Sequence, residues 1–303
     1  MTLHYDEKLK MTEFLVENYD LAATLTSGQA FRWRWIDGAW EGIVAGRWVR
    51  LRQEQGRILA ETAAAAADWQ WLRHYLQLDI DFDKICATFP ADEPMQCSLR
   101  SCAGLRLLRQ EPWECLASFI CSSTKQIVQI QQIIALLCQR FGEPLPVPPG
   151  HEPVHSFPTF ARLAEASEAE LRECKLGFRA PYLLNSAKKL RDKEIDLTAL
   201  HALPLEAARE QLLNLPGVGV KIADCVLLFA FGFQEAFPVD VWIMKALRQL
   251  YFPKRRVKLP RLRHFSRTHF GPHSGYAQQY LFHYMRTKGK TERNRPQPKG
   301  LPA

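Results

Sequence analysis

The hydrophobic pattern changes period once along this chain, and that change limits the folds it can adopt. Residues 39–61, AWEGIVAGRWVRLRQEQGRILAE, alternate apolar and polar side chains, the two-residue period of half-buried strands. Turn signals at Gly46 and at Gln55-Gly56 divide the stretch into hairpins, so residues 14–61 are expected to form an antiparallel sheet. Beyond Leu105 the period becomes helical: Ile127, Ile130, Ile134, Leu137 and Phe141 recur at three- and four-residue steps, with Gly142 where a C-terminal cap belongs. Strands followed by helices predict an α+β fold with segregated sheet and helices rather than a parallel α/β sheet.

The order of segments sharpens that expectation. The alanine run at 63–67, continued by DWQWLRHYLQLD, reads as a helix packed beside the sheet. EPLPVPPGHEPVHSFP carries six prolines and reads as an extended connection between two lobes. Helical patterns follow at 160–173, 181–193, 205–214, 221–233, 241–250 and 274–286. The tail RTKGKTERNRPQPKGLPA is rich in Lys, Arg and Pro and almost free of apolar residues, and is expected to be disordered. The division expected is a β-rich domain at 1–104, a helical domain at 105–290 whose two lobes are linked near 143–158, and a basic tail at 291–303.

Charge narrows the partners. The chain has 40 Lys+Arg against 32 Asp+Glu, a net +8, which favours a polyanion such as nucleic acid. Its eight cysteines are scattered, with no CxxC pair and no Cys/His set at zinc spacing, so neither a metal nor another cofactor is expected. The opening MTLHYDEKLK is charged, and the longest apolar run, CVLLFAFGF, is too short to span a bilayer. Reduced thiols in the cytoplasm are the expectation.

QLLNLPGVGVKIADCVLLFAFG reads as a helix, a tight turn on Pro216, Gly217, Val218 and Gly219, and a second, strongly apolar helix: a helix-hairpin-helix. Glycines let successive N–H groups point outward, and the following helix start adds positive partial charge, so such a turn suits a phosphate oxygen; it is also a plain connector between helices. Lys221 stands at the start of the second helix, where a cation opposes the dipole. That dipole and burial favour the neutral amine, the form that attacks carbon. The alternative for this position is a solvated lysine. Cys225 lies four residues on, hence on the same face, and alone reads as a buried structural thiol. In FPVDVWIMKAL, Asp240 precedes a further helix and reads first as its N-cap. A carboxylate held by backbone N–H groups stays ionised, and aimed at a sugar it stabilises an oxocarbenium-like charge.

With LPGVGVK and FPVD in place, the chain resembles the 8-oxoguanine DNA glycosylase/AP lyases of the helix-hairpin-helix GPD superfamily. The resemblance extends over TSGQAFRWRW, GLRLLRQEPWECLASFICSS, LGFRAPY and GYAQQYLF, in the family's order. It implies an antiparallel β-rich domain plus two helical lobes, double-stranded DNA with oxidised guanine as partner, no cofactor, and a monomer in the cytoplasm, or in the nucleus of a eukaryote. It implies that Lys221 attacks C1′, expels the base and forms a Schiff base that permits β-elimination, with Asp240 as electrostatic partner. Gly28 resembles the glycine whose carbonyl accepts the N7–H that 8-oxoguanine has and guanine lacks. Gln278 would contact the Watson–Crick edge, Phe282 would stack on the base, and Cys225 would close the other face of the pocket. Arg179 matches an arginine that reads the orphaned cytosine, and Phe178 a wedge beside it.

The sequence departs from the family in two places. Thr124, Lys125 and Gln126 replace an asparagine run whose first member would fill the gap left by flipping, and Trp242 replaces a histidine associated with a phosphate contact. Two other readings compete. Monofunctional glycosylases for alkylated bases share the fold and the aspartate but lack the lysine. A non-catalytic DNA-binding module would have no need to keep Lys221, Asp240, Gly28, Gln278 and Phe282 together.

Overall fold

The alternating stretch folds as its period dictates. In the computed structural model, which describes residues 10–253, 255 and 257–293, β1 (Met11–Leu15), β2 (Arg34–Ile36), β3 (Ala39–Val44), β4 (Arg47–Glu54) and β5 (Arg57–Thr62) form an antiparallel sheet in the order β1-β5-β4-β3-β2. The expected turns fall at Gly46 and Gly56, and register pairs Ile43 with Trp48 and Leu51 with Ala60. One face buries Val44, Val49, Leu51 and Ile58 against α1 (Leu21–Thr26) and α2 (Gln70–Leu76). The opposite face is covered in part by the proline-rich connection, where His151 stacks edge-on to Trp48 with centroids 4.7 Å apart and its Nδ1 lies 2.9 Å from Glu41 Oε1.

The alanine run is not helical, contrary to expectation. Residues 63–67 leave β5 as irregular chain, the Thr62 hydroxyl donates to the Ala64 carbonyl, and α2 starts only after Asp68, whose carboxylate accepts from the Gln70 N–H. High intrinsic propensity yields here to capping and to the docking of Trp69 against Phe14.

The helical part begins with α3 (Phe82–Cys86) and α4 (Glu93–Ser101), capped by Asp81 and Asp92, and continues with α5 (Pro112–Cys121), capped by Glu111. α5 is the axis of the main core: Cys115, Leu116, Ala117, Phe119, Ile120 and Cys121 are all buried. α6 (Ile127–Phe141) spans the run expected of it, and Gly142 caps it in an extended conformation. Within the proline-rich segment β6 (Pro144–Leu145) pairs antiparallel with β7 (Val154–His155).

The pattern at 160–173 splits into α7 (Phe160–Ala164) and α8 (Glu168–Glu173) because Ser167 and Glu170 form a reciprocal capping box that starts a new helix. Then come α9 (Ala180–Arg191), α10 (Leu205–Leu213), α11 (Val220–Val226), α12 (Val241–Leu250), α13 (Leu259–His269) and α14 (Ser274–Arg293). α11 runs on through a π-helical turn, Leu227–Phe231. α14 carries the helix well into the stretch expected to be disordered, and the rest of that tail, like residues 1–9, lies outside the described residues. No helix among the described residues is long and apolar enough to cross a membrane.

Candidate active site

The hairpin joins α10 to α11 through residues 214–219. Leu215 and Val218 are buried and anchor the turn, so Val218 contributes its backbone rather than its side chain to the surface. Gly217 has φ +76°, and a Cβ there would lie 2.7 Å from Tyr182 Cγ, so both conformation and space demand glycine. Gly219 differs. Its φ of −97° is open to any residue, and a Cβ would meet nothing within 4 Å. Glycine there leaves the backbone bare at the start of α11, whose N-cap has no side-chain hydrogen bond.

In the first turn of α11, the Lys221 amine stands 4.9 Å from the centroid of the Phe119 ring, a cation–π contact supplied by α5. Burial pushes the Cys225 thiol, four residues on, up to about 12 although Lys221 opposes the shift, so Cys225 is neutral at ordinary pH. Cys115, beneath it on α5, is held well above the ordinary thiol value by the same burial.

Asp240 arrives on a fixed loop. The Gly275 N–H donates to the Gln234 carbonyl at 2.7 Å and the Ser274 hydroxyl to Glu235, tying the loop to the start of α14, while Phe237 is buried. As expected, Asp240 caps α12, its Oδ1 accepting from the Ile243 N–H at 2.8 Å. The expected effect on its charge is offset. Burial raises the carboxyl above the ordinary value, and the Ile243 N–H, Lys221 and the Trp242 N–H only partly oppose it. Lys221 and Asp240 therefore act on one another in a partly desolvated setting. Trp242 is half-buried, with Lys245 Nζ 5.8 Å from its ring.

A second cluster forms where α14 passes the TSGQAF loop. Gly28 has φ +81°, and a Cβ on it would lie 3.1 Å from Ile127 Cδ1, 3.2 Å from Arg286 Nη1 and 3.3 Å from Phe282 Cε1. Buried Gln29 locks the loop: its amide nitrogen donates to the Thr24 and Arg106 carbonyls, and its oxygen accepts from the Leu108 N–H at 2.7 Å. Gln279 adds a tie from α14, donating to the Ser27 carbonyl at 3.0 Å. Gln278 is buried, and its Oε1 has no partner among the described residues, an acceptor awaiting donors. Arg286 links the two clusters, since it touches Gly28 and Phe282 while the charge of Asp240 bears on its guanidinium.

Phe178, Arg179 and Thr124 also come together. Phe178 is 53% exposed and packs edge-on against Tyr182, the residue that covers Gly217, so the aromatic projection stands beside the hairpin. Arg179 is less open than its neighbour Phe178. It is buried, its ring neighbour Phe178 lies 4.2 Å away, and its guanidinium donates to the Ser123 and Leu176 carbonyls and to Thr124 Oγ1. Thr124 has φ +56°, a conformation strained for a β-branched residue, and the Arg179 contacts hold it there. Sequence reasoning missed three contributors. Phe119 and Gln29 sit inside quoted motifs that give them no role of their own, and Arg286 falls where the helical pattern 274–286 meets the stretch expected to be disordered.

Residues 12–116 match the 8-oxoguanine DNA glycosylase N-terminal domain, and residues 117–267 match the HhH-GPD superfamily of base excision DNA repair proteins. A probable N-glycosylase/DNA lyase of Methanothermobacter thermautotrophicus is 32% identical, over 92% of this chain and 97% of that protein. The chain belongs to the 8-oxoguanine DNA glycosylase family. The N-glycosylase/DNA lyase of Saccharomyces cerevisiae is 34% identical over 76% of this chain and 68% of its own. The Clostridium acetobutylicum 8-oxoguanine glycosylase/lyase, solved with duplex DNA containing cytosine opposite 8-oxoguanine, superposes with a TM-score of 0.85 at 32% identity, covering 90% of this chain and 94% of that one. The two matched regions of this 8-oxoguanine glycosylase meet inside α5, the helix that carries Phe119 beneath Lys221, while Gln278, Phe282 and Arg286 lie beyond both.

Proposed function

We propose that Lys221 and Asp240 excise 8-oxoguanine from duplex DNA and that Lys221 then opens the strand. The enzyme is a bifunctional DNA glycosylase/AP lyase of base excision repair. The target carbon is unreachable within the stack, so the nucleotide is flipped out. The Lys221 amine, as its free base, bonds to C1′ while the glycosidic bond breaks and the base leaves with the electron pair. Asp240 stabilises the positive charge that gathers on the sugar in the transition state. Loss of a proton from nitrogen frees its lone pair to form the C1′=N bond as the C1′–O4′ bond breaks, O4′ leaving with the electron pair and taking up a proton. The resulting protonated Schiff base acidifies C2′. Removal of that proton expels the 3′ phosphate by β-elimination.

In this reading Gly28, Gln278 and Phe282 receive the flipped base and Cys225 closes the pocket beside Lys221. Phe178 enters the stack, Thr124 and Arg179 face the orphaned base, and the Gly217–Gly219 backbone meets a phosphate. The observation that carries the reading is the pairing of Lys221 with Asp240 on two separate helix starts, each side chain within electrostatic reach of the other. The lysine disfavours a water-using glycosylase for alkylated bases. Eight free cysteines fit a reducing compartment such as the cytoplasm.

The test is borohydride trapping on a duplex with one 8-oxoguanine opposite cytosine, beside undamaged and methylated-base duplexes. An adduct confined to the 8-oxoguanine duplex, and absent from Lys221→Gln that still binds it, is expected. An adduct with Lys221→Gln would remove Lys221 as nucleophile, and release of a methylated base without adduct would overturn the bifunctional reading.

A further inference from the structure

Arg286 follows Phe282 by four residues and Gln278 by eight on α14, so the three lie along one helix face. Side chains on a helix lean back toward its N-terminus, and Arg286 accordingly reaches over the turn of Phe282, its Cζ 5.2 Å from that ring. Its Nη1 ends 3.2 Å from where a Cβ on Gly28 would lie. That nitrogen is buried and has no acceptor among the described residues. Burial depresses the guanidinium's pKa and Asp240 opposes the shift, so the cation is partly desolvated at the catalytic centre. A buried donor without a partner is costly, and a donor beside Gly28 matches the orphaned acceptor of Gln278 at the other end of the same face.

From this placement we infer that Arg286 is a specificity-determining residue, donating from Nη1 to the C8 carbonyl of the oxidised purine. The inference rests on the reading of Gly28, Phe282 and Gln278 as the base pocket. The lesion presents N7–H and C8=O side by side, a donor next to an acceptor. Gly28 C=O and Arg286 N–H offer the complement, and Phe282 supplies the ring face between this edge and Gln278. Guanine has a C8–H in place of the carbonyl and leaves the guanidinium unpaired again. Discrimination then comes from two adjacent hydrogen bonds of opposite polarity.

The experiment compares single-turnover base excision by wild type, Arg286→Met and Arg286→Lys on 8-oxoguanine opposite cytosine and on its 8-thio analogue, which keeps N7–H but replaces O8 by a poor acceptor. Strand cleavage at an abasic site is measured in parallel. Arg286→Met is expected to slow 8-oxoguanine excision by about 10- to 100-fold. Its loss at the abasic site should be at least about tenfold smaller, because no base is there to read. Wild type should be slower on the thio analogue than on 8-oxoguanine, Arg286→Met should show no such difference, and Arg286→Lys should recover part of it.

Equal losses at lesion and abasic site would assign Arg286 to a phosphate or to Asp240 and overturn the inference. A thio effect undiminished in Arg286→Met, or absent from wild type, would overturn it as well, and the wild-type comparison requires no variant to fold. Failure of the underlying reading shows differently, as wild type that excises no 8-oxoguanine or Lys221→Gln that still forms the adduct.

Discussion

On the proposed reading single residues carry the recognition step, and Gly28 shows how little room they leave. A methyl group there would be forced into a left-handed backbone, costing roughly 1–2 kcal/mol, and would crowd Phe282 and Arg286 as well. Gly28→Ala is therefore expected to slow 8-oxoguanine excision by about 10²-fold, read in single-turnover kinetics, with only a small drop in melting temperature. An unchanged rate would separate this loop from the lesion. Thr124 makes the complementary case. The left-handed conformation favours asparagine or glycine, so the residue that departs from the family's pattern is also the one held by an arginine. Its position could be taken from the sequence, but not its strain, because φ is set by the turn and the buried guanidinium beneath it. Arg286 was illegible for a related reason. The pattern ends the helix at this residue and composition starts a disordered stretch there, and neither shows that its side chain reaches toward Gly28.

At the scale of elements, α11 carries two neighbouring rows of unlike chemistry. Lys221 and Cys225 look toward α5, while Asp224 is buried and accepts from Arg209 Nε of α10 at 2.7 Å, clasping the hairpin. Burial outweighs the Arg209 charge and pushes the Asp224 carboxyl from an ordinary 3.8 up to about 6. A carboxyl with a raised folded-state pKa binds more protons folded than unfolded, so its contribution is fullest below about pH 4 and is lost as pH rises to about 6. The stability of wild type relative to Asp224→Asn is thus expected to fall across that window in urea unfolding at graded pH. A relative stability that rose instead would contradict the assignment.

Element positions were largely legible because long amphipathic runs such as α6 and α12 announce themselves by period. Starts and stops were less so. Asp68 delays α2, and the Ser167–Glu170 box divides one pattern into two helices, both through side-chain hydrogen bonds that periodicity does not register.

Over the whole molecule, a net charge of +8 and an exposed hairpin backbone lead to the expectation that phosphate contact dominates affinity. Binding to a lesion duplex, followed by fluorescence anisotropy, should weaken linearly on a log–log salt plot with a slope near −0.9 for each phosphate neutralised. A flat response would exclude the hairpin as a backbone clamp. The α+β division was readable from the single change of period, whereas the meeting of the sheet-side loop with the last helix was not, because nothing local in either segment encodes the other. Gln279 bonding to Ser27 joins chain positions 252 residues apart. On the proposed reading, the lysine and its aspartate leave the ribosome after Gly28 but before the α14 side of the base pocket. Selectivity for the lesion would then be completed late in synthesis, and a message truncated ahead of α14 would encode the reactive pair with only part of its means of choosing.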